Sequence, residues 1–201
     1  MAAEKLSYLT CSGIDTAMAG ILSGYLRSPY IRTVVNTDVL GVQYASVLKN
    51  IYALGAGIAH GLDYGDNFLS VLIANSADEM ARFLRKAGIV NAEVGYLESG
   101  ENGQSHHNYA ASVYLGDLLV TCYSPYSRNR RFGTMIGKGY SVKAAQLEMN
   151  MVAEGFPASR CIFDINATVG VDMPIAETVY RILWQEESPA YGFSRLEGTL
   201  I

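Results

Sequence analysis

The sequence predicts a mainly α-helical fold preceded by a small β-α-β unit. Two short apolar segments flank one amphipathic helix within the first 38 residues. From residue 39 onward the apolar residues recur at helical spacing. Half of all residues are apolar and 17% are charged, a composition typical of a globular chain with a buried core. We therefore divide the chain into residues 1–38 and an all-helical domain over residues 39–201.

The first unit is predicted from three short segments. Residues 6–11, LSYLTC, are apolar, hydroxylic and aromatic and predict a strand. Residues 15–26 predict a helix with one apolar side, and residues 31–35 predict a second strand. The apolar side of this helix comprises Ala17, Met18, Ile21, Leu22 and Leu26. A unit of this size is not stable alone, so we interpret it as the end of a larger parallel sheet.

The remaining sequence predicts helices and one loop. Residues 41–61 are apolar on all sides, so this helix should be central. The next helix should begin at Asp66 or Asn67, with Asp66 as its cap, and end at Lys86 before Gly88. Residues 92–108 predict a polar loop rich in Gly and Asn. Further helices are predicted over residues 109–121, 129–138, 142–153, 157–167 and 174–186, with Pro157 and Pro174 in first turns.

Charge, cysteine content and hydropathy restrict the classes of function. The net charge of −4 provides no general basic field, so we expect no nucleic-acid partner. The cysteines, Cys11, Cys122 and Cys161, are odd in number and far apart, which favours the reducing cytoplasm. Residues 40–59 are long and apolar enough to span a membrane, but Lys49 lies in their middle. We interpret this stretch as a buried helix and expect no membrane span.

Lys49 is the most informative single residue. It is the only charged residue between Asp38 and His60. Lysine is rare in such apolar surroundings without a partner, and a desolvated lysine is able to act as a base. The alternative is a lysine at the helix edge that extends its ammonium group to water. The spacing alone leaves both interpretations open.

Asp117 and Thr121 lie four residues apart in an otherwise apolar segment, so one helix face should present both side chains. A carboxylate among apolar neighbours needs a cationic partner, and Lys49 is the obvious candidate. The alternative is that Asp117 simply caps a short helix after Gly116. We weigh these two interpretations equally.

Residues 124–133, SPYSRNRRFG, form the best candidate anion site. Ser127, Arg128 and Asn129 lie where a loop should meet a helix, followed by Arg130 and Arg131. A helix N-terminus offers free backbone N–H groups, and arginine adds a two-pronged phosphate donor. The alternative is a solvated basic turn, which an isolated cluster of this kind would slightly favour.

Three further patterns only superficially resemble nucleotide-binding or metal-binding motifs. Gly55, Gly57 and Gly61 have the wrong spacing for a dinucleotide fingerprint and lie within a helix, which indicates packing glycines. Residues 133–139, GTMIGKG, lack the spacing and the hydroxyl residue of a P-loop. The adjacent His106 and His107 in a polar loop are a weak signal for a metal site, and we expect none.

Six motifs in order resemble the bacterial-type NAD(P)-dependent glycerol-3-phosphate dehydrogenases. The motifs are VLKN (47–50), GDN (65–67), GDLLVTC (116–122), SRNRRFG (127–133), MVAEG (151–155) and MPIAE (173–177). Each motif is modest alone, but together they are specific, and the resemblance covers the chain from about Lys5 to Trp184. It implies a helical domain like that of 6-phosphogluconate dehydrogenase, preceded by the last part of a Rossmann sheet.

The resemblance also implies roles for particular residues. Lys49 matches the catalytic base, and Asp117 and Thr121 match groups of the substrate site. Ser127, Arg128 and Asn129 match the residues that hold sn-glycerol 3-phosphate. Arg128, Val152 and Glu154 match positions that contact the cofactor, NAD or NADP. The implied reaction interconverts sn-glycerol 3-phosphate and dihydroxyacetone phosphate and requires no metal.

The sequence also departs from the family pattern. Residues 111–117, ASVYLGD, replace a G-x-x-G-L-G-D-like approach to Asp117, and residues 73–77, IANSA, lack an arginine found in many members. The dinucleotide fingerprint G-x-G-x-x-G and a further lysine of the family are not in this sequence. We therefore expect a Rossmann domain as a partner and an inactive chain without it. A homodimer, the choice between NAD and NADP, and the role of residues 92–108 are left open.

Two alternatives to this enzyme are retained. One is another two-domain reductase acting on a different hydroxy acid, against which the phosphate anchor at Arg128 argues. The other is a non-catalytic helical module for association, which predicts no ligand at Lys49.

Overall fold

A computed structural model of the chain describes residues 4–89, 112–149 and 151–201. This part of the chain is mainly helical and begins with a small parallel sheet, in agreement with the predicted fold class. The first unit consists of β1 (Ser7–Ser12), α1 (Thr16–Leu26) and β2 (Ile31–Asn36). The helical part comprises α2 (Val39–Gly61), α3 (Asp66–Lys86), a π turn (Ser112–Gly116), α4 (Asp117–Tyr123), α5 (Arg128–Gly137), α6 (Val142–Glu148), α7 (Gly155–Val169), α8 (Pro174–Trp184) and α9 (Pro189–Glu197).

The β-α-β unit forms as predicted, but its apolar helix face is not buried by the described residues. Strands β1 and β2 pair in parallel from Ser7 opposite Ile31 to Ser12 opposite Asn36. Asp15 is the cap of α1 rather than its first residue, because its carboxylate accepts the first-turn N–H groups. About half of the surface of the apolar residues Met18, Ile21, Leu22 and Leu26 is exposed.

Helix α2 forms the centre of the hydrophobic core. Leu48, Ile51, Leu54 and Ile58 are fully buried against the surrounding helices. Residues 51–59 are buried on every side, which explains why this part of the sequence lacks a polar face. The expected helix over residues 40–59 is present and its second half is buried as expected, whereas Leu40, Gln43 and Ser46 in its first half are exposed. Within the three described ranges, no helix has the length and hydropathy needed to cross a membrane.

Helices α2 and α5 pack backbone against backbone through paired glycines. A Cβ atom added to Gly57 would lie 2.1 Å from the carbonyl oxygen of Arg130, and one on Gly133 would lie 2.1 Å from that of Leu54. Gly61 and Gly137 make the corresponding contacts one turn further along. The interpretation of Gly57 and Gly61 as packing glycines is thus confirmed. This close approach fixes the start of α5 relative to α2.

Helix α3 is joined to α8 by a buried carboxylate. The two oxygens of Glu79, which is fully buried, accept hydrogen bonds from the backbone N–H groups of Ile175 (2.9 Å) and Ala176 (3.0 Å). These N–H groups belong to the first turn of α8, which Pro174 begins as predicted. The expectation that Asp66 caps α3 is wrong, because Gly65 occupies the cap and Asp66 is the first helical residue.

Several predicted boundaries are wrong. Helix α6 ends at Glu148 rather than at residue 153, because the backbone of Met149 is extended. Helix α7 begins at Gly155 rather than at residue 157, since proline is tolerated within a first turn. A π turn precedes α4 where one continuous helix was expected, and α9 was not predicted at all. The loop predicted over residues 92–108, His106, His107 and the start of the helix predicted over 109–121 lie outside the described residues.

Candidate functional site

The candidate site begins with an ion pair between Lys49 and Asp117. The ammonium group of Lys49, in the middle of α2, donates to Oδ2 of Asp117, the first residue of α4. The side chain of Lys49 is 20% exposed and that of Asp117 is 41% exposed. The expected partnership of these two residues is therefore present. Because the pair is partly accessible, a ligand is able to reach the lysine without unfolding the helix.

The arrangement of α4 decides between the two interpretations of Asp117. The cap position of α4 is Gly116, and the carboxylate of Asp117 binds Lys49 rather than the backbone of its own helix. Thr121 lies one turn further along, as the spacing predicts, but its hydroxyl donates to the carbonyl oxygen of Asp117. The hydroxyl of Thr121 therefore retains only acceptor capacity toward a ligand.

The segment with Ser127, Arg128 and Asn129 forms the start of α5. Ser127 caps this helix, since its Oγ accepts the N–H group of Arg130 at 3.3 Å. The first turn of a helix presents unpaired backbone N–H groups and the positive end of the helix dipole. The side chain of Arg128 is 42% exposed, and its guanidinium lies 3.7 Å from Oε1 of Glu154. The guanidinium of Arg130 instead donates to the carbonyl oxygen of Tyr123 at 2.6 Å.

Asn50 connects the lysine to this helix start, and the sequence reasoning did not select it. Its Oδ1 accepts from Nδ2 of Asn129 at 2.9 Å, and its own Nδ2 donates to Oε2 of Glu154 at 3.3 Å. Oδ1 of Asn129 in turn accepts the N–H group of Gly155 at 2.9 Å. Only glycine fits at residue 155, because a Cβ atom there would lie 2.4 Å from the carbonyl oxygen of Asn50. The available signal was the position of Asn50 directly after Lys49.

Val152 and Glu154 lie in the segment that leads into α7. The side chain of Val152 is largely exposed, and that of Glu154 is 66% exposed beside Arg128. Val152 borders a hollow of about 220 Å³ with Met149, Met151 and Phe156. This apolar hollow and the adjacent charged pair form one side of the candidate site.

A cleft separates β1 from the helices that carry the ion pair. It has a volume of about 640 Å³ and is bounded by Ser7 to Thr10 on one side and by Val42, Asp117 and Val120 on the other. The cleft thus gives a ligand access to Asp117 between β1 and the helical part.

The thiol of Cys122, on the same helix as Asp117, is not part of this chemistry. Burial raises the pKa of Cys122 to about 12, although the charge of Arg130 opposes the shift. A buried protonated thiol is a poor nucleophile and a poor metal ligand. Within the described ranges, His, Cys, Asp and Glu side chains form no group of three or more suited to a metal ion.

Comparison with known proteins identifies the family. Residues 38–193 match the family model described as the NAD-dependent glycerol-3-phosphate dehydrogenase C-terminus. The chain belongs to this family. The matched range begins at the residue that caps α2 and includes every side chain of the candidate site.

Individual glycerol-3-phosphate dehydrogenases agree with this assignment. The chain is 36% identical over 179 residues to glycerol-3-phosphate dehydrogenase [NAD(P)+] from Chlorobium phaeobacteroides strain DSM 266, covering 89% of the chain and 49% of the relative. The protein of the same name from strain BS1 is 42% identical over 159 residues, covering 79% and 43%. The crystal structure of glycerol-3-phosphate dehydrogenase from Coxiella burnetii superposes with a TM-score of 0.84 at 27% identity, covering 97% of this chain and 55% of that one. The chain thus spans about half the length of the glycerol-3-phosphate dehydrogenases that it matches.

Proposed function

We propose that this chain provides the substrate-binding and proton-transfer part of an enzyme that interconverts sn-glycerol 3-phosphate and dihydroxyacetone phosphate with NAD or NADP. Family membership supports the reaction class. The ion pair of Lys49 and Asp117 is the single observation that carries the proposal, because it joins a partly exposed lysine to a carboxylate that borders an accessible cleft. The alternative of a purely associative module offers no reason for a lysine at this position.

Lys49 is the proton-transfer group in this proposal. In the oxidative direction, the neutral amine of Lys49 takes the proton of the C2 hydroxyl of sn-glycerol 3-phosphate. In the reductive direction, the ammonium form returns that proton to the C2 oxygen. Asp117 orients the lysine side chain and stabilises its charged form after the proton has been taken up. Thr121 holds the backbone of Asp117 in place from within α4.

The phosphate group of the substrate is assigned to the start of α5. Arg128 supplies a forked donor, and the helix dipole adds positive potential at the cap, Ser127. Asn129 is nearly buried and held by Asn50 and Gly155, so its role is to keep this helix start rigid next to Lys49. Binding energy from the phosphate then positions C2, the reacting carbon, at the lysine.

A bound NAD or NADP supplies the acceptor or donor of the hydride. The residues of this chain proposed to contact it are Arg128, Val152 and Glu154. Their exposure fits this assignment, since the side chains of all three are accessible to a ligand. The glycine-rich turn that would bind the pyrophosphate is assigned to a Rossmann domain that partners this chain.

The domain division and the setting of the enzyme are part of the same proposal. Residues 1–38 belong with the dinucleotide-binding domain, and residues 39–201 form the substrate-binding domain. The half-exposed apolar face of α1 supports this division, because such a face would be buried by further elements of a sheet. The three free cysteines support a cytoplasmic location. A homodimer is compatible with this arrangement and is tested by sedimentation.

Replacement of Lys49 tests the proposed function. In the protein that joins this chain to a dinucleotide-binding domain, Lys49→Met should lower kcat for dihydroxyacetone phosphate reduction about 100-fold or more, because the proton donor is lost. Lys143→Met, an exposed lysine on α6, is the control and should leave kcat unchanged. Circular dichroism should show the same helical content in both variants. Near-normal kcat in Lys49→Met would exclude Lys49 as the proton-transfer group.

A further inference from the structure

A buried tyrosine lies directly before the candidate site. Tyr114 belongs to the π turn, three residues ahead of Asp117, and only 1% of its surface is exposed. Its hydroxyl donates to Oδ2 of Asp38. Tyr114 thus ties the approach to Asp117 to a residue that lies 76 positions earlier in the chain.

Asp38 has a second partner, at the start of the helix that carries Lys49. Its Oδ1 accepts the N–H group of Gly41 at 2.9 Å and so caps α2. One carboxylate therefore binds both the first turn of α2 and the π turn before α4. Glycine at residue 41 leaves room for this hydrogen bond, because a Cβ atom there would lie 2.1 Å from Oδ2 of Asp38 and 2.5 Å from the hydroxyl oxygen of Tyr114.

We propose that Tyr114 is a positioning residue, whose hydrogen bond to Asp38 sets the location of Asp117 relative to Lys49. The proposal rests on the proposed function and adds to it a residue that touches neither substrate nor cofactor. The two helices that carry the ion pair, α2 and α4, are connected at their N-terminal ends by this bond. Asp117 itself has no side-chain cap that would hold the start of α4.

Two physical arguments support this role. A π turn is rare, which indicates that the surrounding structure has to support it. A hydrogen bond from a hydroxyl to a carboxylate is stronger than one between neutral groups.

Burial, together with the hydrogen bond to Asp38 and the negative charge of Asp38, raises the pKa of Tyr114 well above its ordinary value. The hydroxyl therefore remains a donor throughout the pH range in which the enzyme would act.

The chain offers a matched control for this test. Tyr64, at the end of the loop after α2, donates its hydroxyl to Glu197 on α9, remote in sequence from Lys49 and Asp117. Tyr64→Phe and Tyr114→Phe each remove one bond between a tyrosine and a carboxylate and keep the aromatic ring. An effect seen in Tyr114→Phe and not in Tyr64→Phe is then due to the position of the bond between Tyr114 and Asp38, and not to the loss of one hydrogen bond as such.

The first readout is the NMR signal of the Lys49 side chain in the 201-residue chain, measured as the 13Cε and attached 1H shifts. Asp117→Asn defines the shifts of a lysine without its charged partner. Tyr114→Phe should move the Lys49 shifts part of the way to those of Asp117→Asn, and Tyr64→Phe should leave them in place. Wild-type Lys49 shifts in a folded Tyr114→Phe variant would overturn the proposal.

The second readout is turnover in the protein that joins this chain to a dinucleotide-binding domain. Tyr114→Phe should lower kcat about fivefold or more with a smaller change in KM, because the reacting groups are displaced rather than removed. If Tyr114→Phe does not fold, the Lys49 shifts and kcat of Asp38→Asn test the proposal instead. Asparagine still caps α2 but accepts a weaker bond from Tyr114, so a smaller effect in the same direction is expected, and no effect would overturn the proposal. If the wild-type protein shows no turnover, the proposed reaction fails, whereas the Lys49 shifts still decide the role of Tyr114.

Discussion

At the scale of single residues, Arg128 has the position expected of a phosphate ligand. Its guanidinium group lies at the N-terminus of α5, and its nearest described carboxylate, that of Glu154, is 3.7 Å away. An exposed pair at this distance contributes little to stability, so an anion is able to compete with it for the guanidinium. The helix dipole and the backbone N–H groups add to the attraction for the anion.

Phosphate or sulfate should therefore bind weakly to the 201-residue chain at residues 127–131. The expected observation in an NMR titration is a set of amide shifts at these residues that diminishes at high ionic strength. Arg128→Ala should abolish the shifts, whereas Arg85→Ala, which removes one exposed charge at the end of α3, should not. Shifts confined to other parts of the chain would contradict the assignment of the phosphate anchor.

Glu79 is a buried acid whose role is structural. Burial raises the pKa of Glu79 to about 7, and the N–H groups of Ile175 and Ala176 oppose this shift. Between the ordinary value of 4.5 and about 7, the folded chain keeps a proton that the unfolded chain has released. The free energy of unfolding should therefore fall as the pH rises through this window, by an amount that approaches about 3 kcal/mol.

Glu79→Gln removes this dependence on pH, because glutamine does not titrate. The free energy of unfolding of the wild type minus that of Glu79→Gln should decrease between pH 5 and about pH 7. Urea unfolding at a series of pH values measures the difference. Glu177→Gln, which changes a surface glutamate paired with Arg181, is the control for the loss of one carboxylate. A difference that rises with pH would show that the pKa of Glu79 is lowered rather than raised.

At the scale of elements, the crossing of α2 and α5 is the contact that brings the two halves of the site together. The facing glycines allow the backbones to touch, so the distance between the helices does not depend on side-chain packing. Lys49 and Asn50 lie on one helix of this pair, and Arg128 and Asn129 lie on the other. Enlarging one of the glycines should therefore disturb both stability and the site.

Gly57→Ala should lower the free energy of unfolding by about 2–3 kcal/mol or more, because the new methyl group collides with a backbone carbonyl. Gly20→Ala is the matched control. Gly20 lies within α1, and no atom is within 4 Å of the position of an added Cβ. The control should raise the free energy of unfolding by about 0.5–1 kcal/mol through helix propensity. Equal effects of the two substitutions in chemical denaturation would exclude the close helix crossing.

Local signals predicted the long elements better than the short ones. The continuous apolar pattern of α2 and the amphipathic pattern of α3 extend over many residues, so their existence and approximate ends could be predicted. Helix α6 is short, and nothing in its local pattern distinguishes a stop at Glu148 from one at residue 153. Helix α9 begins with Ser188 and Pro189, a recognisable helix start that the sequence analysis did not use.

In the candidate site, too, the sequence predicted only part of what the structure contains. The pairing of Lys49 with Asp117 followed from charge, because a carboxylate among apolar residues needs a cation. The contact of Asn50 with Asn129 depends on the crossing of α2 and α5, which the sequence does not report locally. The same is true of Tyr114 and Asp38, which belong to segments far apart in the chain. Charge thus predicts partners, whereas the positions of neutral polar groups require the tertiary structure.

At the scale of the whole molecule, the β-α-β unit differs in character from the helical part. Its apolar residues Tyr8, Ile14, Met18 and Tyr25 are all more than half exposed, whereas residues 51–59 of α2 are all buried. An apolar surface of this kind normally marks a contact with another element or domain. The helical part thus has a well-buried hydrophobic core, whereas the β-α-β unit has an apolar surface on which another element or domain is able to pack.

The 201-residue chain should consequently bind NADH or NADPH only weakly. Its sequence offers no G-x-G-x-x-G turn after a strand, so the pyrophosphate would lack its backbone donors. Isothermal titration calorimetry on the chain should show no binding in the micromolar range. A parallel titration with sn-glycerol 3-phosphate shows whether the substrate site is intact. Micromolar affinity for either dinucleotide would mean that residues outside the expected fingerprint bind the pyrophosphate.

The position of Lys49 and Gly57 on one helix has a consequence for how this protein is able to change over evolutionary time. A single residue inserted between them would rotate the lysine by about 100° around the helix axis relative to the glycine contact. Either the amine would leave Asp117, or the two backbones would separate. Insertions and deletions should therefore be absent from residues 50–56 in every functional descendant.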